Sequence, residues 1–278
     1  MKVSVFGLGY VGCVSAAALA GDGHEVVGID VNPDKVDAVN RGHSPIVEPG
    51  LHEAVGAAAR AGRLRATTST AEAVRESEVS LLCVGTPSRR NGSLDLQYLS
   101  RVSEQIGDAL RDKAGYHVVV VRSTVLPGTT HDVVIPALER HSGKRYGEDF
   151  GVAVNPEFLR EGSALNDFRE PPITLVGHNH AADAAATIGL YDGVNAPLVT
   201  TGIRVAEMMK YASNTWHALK VAFANEIGTA CKQFEIDSHE VMDIFCQDAK
   251  LNLSSYYLKP GFAFGGFAFG WFALGGFA

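Results

Sequence analysis

Apolar residues recur in short runs along the first 200 residues, and helix-like patterns separate the runs. The runs lie at 3–6, 79–85, 117–124, 150–156 and 173–177. Runs of this length are typical of strands that are buried on both faces of a parallel sheet. The patterns between them predict helices near 51–61, 95–111 and 129–141. This alternation predicts an α/β fold with a doubly wound parallel sheet.

The character of the chain changes after Thr201. Residues 202–234 contain no proline and only two glycines. This composition predicts one helix of about 30 residues, far longer than the mean of about 11. A second helix is predicted over 238–247.

A polar stripe follows the long predicted helix. Its members recur in phase with a helical period of 3.6 residues and are Lys210, Asn214, His217 and Asn225. Since the residues around the stripe are apolar, we expect the helix to be mostly buried. Buried polar groups need partners, which a ligand or an internal polar network would supply.

The last segment, 261–278, carries no charged residue and repeats with a period of five. Neither a helix nor a strand has this period. Its 18 residues include six glycines and are marginal for a membrane-spanning helix. We expect an aberrant end, produced by truncation or a frameshift, rather than a packed domain. The predicted regions are therefore 1–200, 201–260 and 261–278.

The first 31 residues read as strand, glycine turn, helix and strand. Gly7, Gly9 and Gly12 form G-x-G-x-x-G, and Asp30 closes the second strand. In this pattern the glycines permit a tight turn, close approach of a pyrophosphate, and close packing of helix on strand. The helix N-terminus offers unpaired N–H groups to phosphate. Asp30 would accept the ribose hydroxyls and repel a 2′-phosphate, which favours NAD over NADP. A glycine-rich turn that binds nothing is the alternative.

Composition narrows the class of protein. The chain has 278 residues, 46% hydrophobic and 20% charged, with a net charge of −7. No basic field exists to neutralise the phosphates of a nucleic acid. The four cysteines have no metal-ligand spacing and are expected to be buried, reduced thiols: Cys13, Cys83, Cys231 and Cys246. Because a strand follows Met1 almost directly, we expect no secretory signal and a cytoplasmic protein without a membrane partner.

Further candidate chemistry lies where strands are predicted to end, since α/β sheets bind their ligands there. Glu157 and Glu161 are four residues apart on a predicted helical turn, and paired carboxylates can position water or accept a proton. An acidic cap at a helix start is the alternative. Thr86 and Thr124 follow two other strands and would reach a cofactor from the same crevice.

Six ordered motifs together resemble the nucleotide-sugar 6-dehydrogenases, the family of UDP-glucose dehydrogenase. The motifs are FGLGYVG (6–12), SPIVEPGL (44–51), VGTPS (84–88), VVRSTVLPGT (120–129), NPEFLREG (155–162) and the Lys210/Asn214 pair. Residues 247–266 are most similar to the GDP-mannose branch of this family, found in alginate-producing bacteria. The β-hydroxyacid dehydrogenases share the lysine and asparagine on a long helix, but not SPIVEPGL. A nucleotide-binding protein without catalysis is a further alternative.

The resemblance implies a Rossmann-type domain over 1–200, an incomplete central dimerisation domain, and oxidation of a sugar C6 alcohol to a carboxylate with two NAD. The implied NAD contacts, besides the glycines and Asp30, are Tyr10, Val11, Lys35, Thr86 and Thr124. The implied contacts to the sugar nucleotide are Glu161, Lys210, Asn214, His217 and Asn225, with Tyr256, Tyr257, Lys259, Phe262 and Gly265 closing the site partly across a homodimer. Lys210 would stabilise a developing alkoxide, and Glu157 and Thr124 would order water. The implied catalytic set is Thr124, Glu157, Glu161, Lys210 and Asn214.

The chain departs from the family pattern after Gly266. The family continues into Ser-Cys-Leu-Pro-Lys-Asp, whose cysteine captures the aldehyde as a covalent adduct. This chain has Phe267 and then Ala268 at the position of the cysteine. The departure predicts that the chain is inactive or impaired, because without a nucleophile the aldehyde cannot be captured as a covalent adduct.

Overall fold

One sheet of eight strands is seen in the part of the chain that the structure, a computed structural model, describes: residues 1–250 and 252–253. The strands are β1 (Lys2–Phe6), β2 (Glu25–Ile29), β3 (Leu64–Thr67), β4 (Val79–Leu82), β5 (His117–Val121), β6 (Phe150–Val154), β7 (Thr174–His178) and β8 (Leu198–Thr201). Their order across the sheet is β3-β2-β1-β4-β5-β6-β7-β8. β7 runs antiparallel to β6, and the other neighbours are parallel.

The helices are α1 (Tyr10–Gly21), α2 (Pro33–Asn40), α3 (Leu51–Arg60), α4 (Thr70–Glu76), α5 (Gln97–Arg111), α6 (Ile135–Ser142), α7 (Ala164–Arg169), α8 (Ala181–Ile188), α9 (Ile203–Gln233) and α10 (Ser238–Phe245). Side-chain caps start three of them, because Asn32, Ser69 and Asp237 each accept an N–H of the first turn. A π-helical turn, Thr130–Val134, precedes α6, and a short 3₁₀ turn, Gly189–Tyr191, follows α8.

The two faces of the sheet carry separate apolar cores. On β5, Val118 and Val120 belong to the core beneath α1 and α3, while Val119 and Val121 belong to the core beneath α5 and α6. Successive side chains of a strand point to opposite faces, so a strand buried on both sides is apolar throughout. The predicted doubly wound α/β sheet is confirmed.

The predicted strands differ from the observed ones at their carboxyl ends. β4, β5 and β6 each stop two or three residues before the apolar run ends. The chain turns there, and after β5 the N–H of Ser123 donates to the carbonyl of Leu82 at 2.9 Å instead of extending the ladder. The run at 173–177 forms β7, which is antiparallel to β6, so the sheet is not parallel throughout as predicted. Because β7 runs back from the end of β6, residues 155–173 stay at the carboxyl edge.

The two predicted C-terminal helices exist as α9 and α10. The expectation that α9 is mostly buried is wrong: Val205, Leu219 and Val221 are 54%, 55% and 61% exposed. Ile203 and Ala206, near the start of α9, pack into the core of the sheet. The chain divides into two compact units between Asn214 and Thr215, and the predicted domain bounds stay a prediction. Across the described residues, no helix combines the length and hydropathy that a membrane span needs.

Candidate functional site

The glycine turn between β1 and α1 is closed by backbone contacts that leave no room for a side chain at Gly7 or Gly12. Gly7 has a φ of +92°, and its N–H donates to the carbonyl of Ile29 at 2.7 Å. A Cβ on Gly12 would lie 1.8 Å from the carbonyl oxygen of Gly7. A Cβ on Gly9 would meet nothing within 4 Å, and no side chain caps α1. The first turn of α1 therefore has open space beside Gly9 and no side-chain cap, and its N–H groups suit a phosphate.

Asp30 follows β2 and is held in one orientation. Its carboxylate accepts the N–H of Leu8 at 2.8 Å and the N–H of Asn32 at 2.9 Å. The Lys35 ammonium lies 3.4 Å from the same carboxylate. The backbone thus aims the Asp30 oxygens across the end of the glycine turn. A carboxylate held in this way can accept hydrogen bonds from a diol.

A cavity of about 400 Å³ joins the glycine turn to Asp30, and we call it the nucleotide cavity. It has the volume of a small-molecule site. Its wall includes the predicted Gly7, Gly9, Asp30 and Lys35. With the open helix N-terminus and the fixed carboxylate, these residues fit a dinucleotide.

The same wall holds residues that the sequence reasoning missed. They come from the loops after β2 and β3, the start of α4 and one face of α5: Val31, Thr68, Thr70, Tyr98, Arg101, Val102 and Gln105. The spacing of the α5 residues is that of one helical face, which is the signal that would have found them.

Thr86 and Thr124 are brought together as predicted, although neither is shown to contact a cofactor. The Thr86 hydroxyl donates to the carbonyl of Thr124 at 2.6 Å. Beside them, the Ser123 hydroxyl donates to the carbonyl of Val84 at 2.6 Å. The loops that follow β4 and β5 are therefore tied to each other at the carboxyl edge of the sheet.

Lys210 and Glu157 form an ion pair in which both side chains are only 10% exposed, with 2.7 Å between the ammonium and the carboxylate. The other carboxylate oxygen of Glu157 accepts the N–H of Leu159 at 2.7 Å. The Lys210 ammonium also lies 5.8 Å from the centre of the Phe158 ring. Two residues of the predicted catalytic set thus meet, and a buried cation is held beside the end of β6.

Glu207 lies one turn before Lys210 on α9 and was missed by the sequence reasoning. Its buried carboxylate accepts the N–H of Gly128 at 2.6 Å and the N–H of Thr130 at 2.9 Å. These contacts fasten the loop after β5, which carries Thr124, to the helix that carries Lys210. The signal available in the sequence was that Glu207 is an acidic residue with apolar residues on either side of it in the predicted helix.

The predicted helical turn over Glu157 and Glu161 does not exist. Residues 155–160 form neither helix nor strand, and α7 begins only at Ala164. The N–H of Leu159 donates to the carboxylate of Glu157 and the N–H of Arg160 donates to that of Asp167, so neither closes a helical turn. The four-residue spacing therefore does not place Glu157 and Glu161 on one helical face. Glu157 is buried, whereas Glu161 is exposed in the turn. The paired-carboxylate interpretation is wrong.

A buried arginine supports the ends of the strands beneath this site. Arg122 donates to the hydroxyl of Tyr191 at 2.9 Å and to the side-chain oxygen of Asn155. Asn155 in turn donates to the carbonyl of Leu175 at 2.9 Å. Cys83, which lines the nucleotide cavity, follows β4, and Glu157 follows β6. The cavity and the ion pair therefore lie along the same carboxyl edge of the sheet.

Three other predicted substrate contacts are exposed. Asn214 is exposed, and His217 and Asn225 are exposed residues of the second unit. The rest lie outside the described residues, as does Ala268: Tyr256, Tyr257, Lys259, Phe262 and Gly265.

The cysteines follow the expected pattern with two exceptions. Cys13 and Cys231 are buried, and burial raises the pKa of Cys13 to about 11. Cys83 is half-buried, and desolvation raises the pKa of its thiol to about 12. Cys246 is exposed, because it lies just after α10, so the expectation of burial is wrong there.

Residues 1–195 match the NAD binding domain of the UDP-glucose/GDP-mannose dehydrogenase family, and residues 204–271 match the central domain. The chain is 57% identical over 265 residues to GDP-mannose 6-dehydrogenase of Azotobacter vinelandii, covering 95% of this chain and 61% of that protein. It is 41% identical to UDP-glucose 6-dehydrogenase AglM of Haloferax volcanii, covering 95% of this chain and 62% of that protein. A crystal structure of a ternary complex of GDP-mannose dehydrogenase from Pseudomonas aeruginosa matches with a TM-score of 0.95 and 53% identity, over 96% of this chain and 62% of that one. The chain spans about three fifths of the length of these relatives.

Proposed function

The chain belongs to the UDP-glucose/GDP-mannose dehydrogenase family, and on that premise we propose that it binds NAD and a nucleotide sugar for oxidation of the sugar at C6. GDP-mannose is the proposed sugar nucleotide, because the relatives at 57% identity carry that name and those at 41% carry UDP-glucose. The observation that carries the proposal is the buried Lys210–Glu157 pair, which lies at the same carboxyl edge of the sheet as the nucleotide cavity. A structural ion pair alone would not need an uncapped helix N-terminus and a fixed carboxylate at that edge.

In the proposed first oxidation the C6 alcohol loses a hydride to the cofactor and a proton to solvent water and becomes an aldehyde. NAD, when bound, supplies the hydride acceptor. The Lys210 ammonium stabilises negative charge on the C6 oxygen, as a preorganised cation in a dry site does. Glu157 orients that ammonium through the 2.7 Å contact. Through its contacts with Gly128 and Thr130, Glu207 fixes the loop that bears Thr124.

We propose that this chain does not carry out the second oxidation, from the aldehyde to the carboxylate. The family resemblance assigns capture of the aldehyde to a cysteine, and Ala268 has no nucleophilic atom. Ala268 therefore favours a second candidate function, nucleotide binding without formation of the sugar carboxylate. An assay that mixes the protein with NAD and GDP-mannose and follows NADH and the uronate product distinguishes oxidation to the carboxylate from nucleotide binding alone. Turnover to the carboxylate near the enzyme median of about 10 per second would refute the cysteine argument.

The proposed preference for NAD over NADP is tested by calorimetric titration with both. Asp30 should repel the 2′-phosphate, so NAD should bind more tightly, and Asp30→Ala should erode the difference. Asp34→Ala is the matched control, because Asp34 is an exposed acid on the next helix that does not line the cavity. Tighter binding of NADP by the unmodified chain would overturn the assignment.

We also propose that the chain forms a homodimer through α9. Its exposed apolar side chains include Met208, Leu219, Val221 and Phe223, and uncovered apolar area of this kind marks interfaces. Sedimentation over a wide concentration range should show a dimer that Leu219→Lys weakens. A clean monomer at all concentrations would contradict the proposal.

A further inference from the structure

Glu48, in the 44–51 motif, is a buried carboxylate that the proposed reaction leaves unused. It is only 8% exposed, in a loop whose neighbour Val47 is fully exposed. Its Oε1 accepts the N–H of Ala164 at 2.8 Å, and its Oε2 accepts the N–H of Gly162 at 3.0 Å. Oε2 also accepts the hydroxyl of Tyr10 at 2.9 Å. Three donors from two distant parts of the chain thus converge on one side chain.

These donors belong to the two elements that the proposed function uses for different ligands. Tyr10 opens α1, whose first-turn N–H groups suit the phosphates of the cofactor. Gly162 flanks Glu161, a proposed contact of the sugar nucleotide. The Tyr10 oxygen also lies 3.1 Å from the carbonyl oxygen of Arg160, a second acceptor for the same hydroxyl. Having a single proton, the Tyr10 hydroxyl favours the charged carboxylate as its acceptor.

Electrostatics explains why the residue is a glutamate. Burial opposes ionisation of Glu48, but the hydrogen bonds from Gly162, Ala164 and Tyr10 outweigh burial and lower its pKa below the ordinary value. Burial and the neighbouring Glu48 raise the pKa of Tyr10, so its hydroxyl remains a donor. Among the described residues, no cation lies within 4 Å of the Glu48 carboxylate. The charge is stabilised by neutral donors alone. A glutamine would present an NH₂ group where an acceptor is required.

We propose that Glu48 is a positioning residue that couples the cofactor end of α1 to the loop carrying Glu161, so that bound NAD strengthens binding of the sugar nucleotide. The inference rests on the proposed function, since it takes the two ligands from there. The physical link is short: ordering of the first turn of α1 fixes Tyr10, Tyr10 fixes Glu48, and Glu48 fixes the N–H groups that flank Glu161. Coupling between two sites through such a contact is typically about 5-fold to 150-fold in affinity.

The test uses the full chain and the variant Glu48→Gln, with Glu53→Gln as the matched control. Glu53 is an exposed glutamate on α3, five residues further on. GDP-mannose is titrated by calorimetry without NAD and with saturating NAD. In the unmodified chain and the control, NAD should raise GDP-mannose affinity at least about 5-fold. In Glu48→Gln the ratio should fall to within twofold of unity.

Hydrogen exchange supplies a readout that needs no ligand. The amides of Gly162 and Ala164 should exchange faster in Glu48→Gln than in the control, because their acceptor is weakened. If Glu48→Gln fails to fold, Tyr10→Phe replaces it. That change removes the hydrogen bond between α1 and Glu48 and leaves the two backbone contacts, so the coupling should fall to near unity while the amides of Gly162 and Ala164 keep their protection.

The outcomes separate the inference from the proposed function. If the unmodified chain binds both ligands and Glu48→Gln keeps its full coupling, the inference is overturned while the proposed function stands. If the unmodified chain binds both ligands independently, the result is the same. If it binds neither ligand, the proposed function fails and the coupling falls with it. Loss of coupling together with faster exchange supports the inference.

Discussion

The Lys210–Glu157 pair makes a sharp prediction about stability. Its two charged atoms are 2.7 Å apart and both side chains are 10% exposed. Glu157→Gln leaves a buried ammonium without a counter-charge, and removing one partner of a buried pair costs about 3–5 kcal/mol. Lys210→Met leaves the carboxylate with only the N–H of Leu159 and should cost a similar amount.

The double variant decides between charge pairing and simple loss of packing. With both charges removed, no uncompensated buried charge remains, so the double variant should lose much less than the sum of the single losses. We expect a coupling free energy of about 2–3 kcal/mol, the upper part of the range for residues in contact. Urea unfolding at neutral pH of the parent, both single variants and the double variant measures it.

The matched control is the Arg65–Glu72 pair, which has the same 2.7 Å separation but side chains that are 41% and 34% exposed. Exposed pairs contribute about 0.2–1 kcal/mol. The cycle with Arg65→Met and Glu72→Gln should therefore show a much smaller coupling. If the buried pair couples no more strongly than this control, burial does not set the strength of the pair, and the reasoning is refuted.

Two further predictions concern the glycine turn and a buried histidine. Gly12→Ala should abolish NAD binding and lower the Tm by about 5 °C, because the added Cβ is overpacked. Overpacking costs about 1–3 kcal/mol of stability, and each kcal/mol lowers the Tm by about 2–4 °C. Gly21→Ala on the same helix is the control and should not lower the Tm, because a Cβ there meets open space. Burial lowers the pKa of His117 to about 3, so below its unfolded pKa of about 6.5 the unfolded chain binds a proton that the folded chain does not. The stability is thus full above that pH and falls by about 2 kcal/mol from pH 7 to pH 5. His117→Gln keeps a hydrogen-bond partner for Ser80 and should not show this loss of stability between pH 7 and pH 5. Urea unfolding of the parent and the variant at both pH values measures it, and an equal pH dependence in the two would contradict the prediction.

Local sequence patterns were sufficient to predict those features whose geometry is determined within one short segment of the chain. The glycine turn and Asp30 lie within a single strand-helix-strand unit, so their spacing fixes their relation. Thr86 and Thr124 were predicted to share a crevice because neighbouring parallel strands end at one edge, and a 2.6 Å hydrogen bond joins them.

The rest depended on contacts between distant residues. Glu48 meets Ala164 across 116 positions, and Glu207 meets Thr130 across 77, so no spacing rule applies. The error at Glu161 had a different cause. A helical turn was predicted over residues 157–161, but the N–H groups of Leu159 and Arg160 donate to the carboxylates of Glu157 and Asp167, which the letters alone do not reveal. The exposure of α9 was missed because periodicity identifies an apolar face without saying what covers it.

The reversal at β7 has a practical consequence for engineering. Val154 at the end of β6 pairs with Gly177 of β7, so the segment between them leaves the sheet and returns to it at one place. A homologue's segment exchanged for it must therefore keep the contacts of Glu157 with Lys210 and of the backbone of Gly162 and Ala164 with Glu48. The strand that follows must keep Gly177, because a Cβ there would lie 2.5 Å from the side chain of Ala206 on α9. Residues 155–173 are thus exchangeable only together with their partners on α9 and in the 44–51 motif.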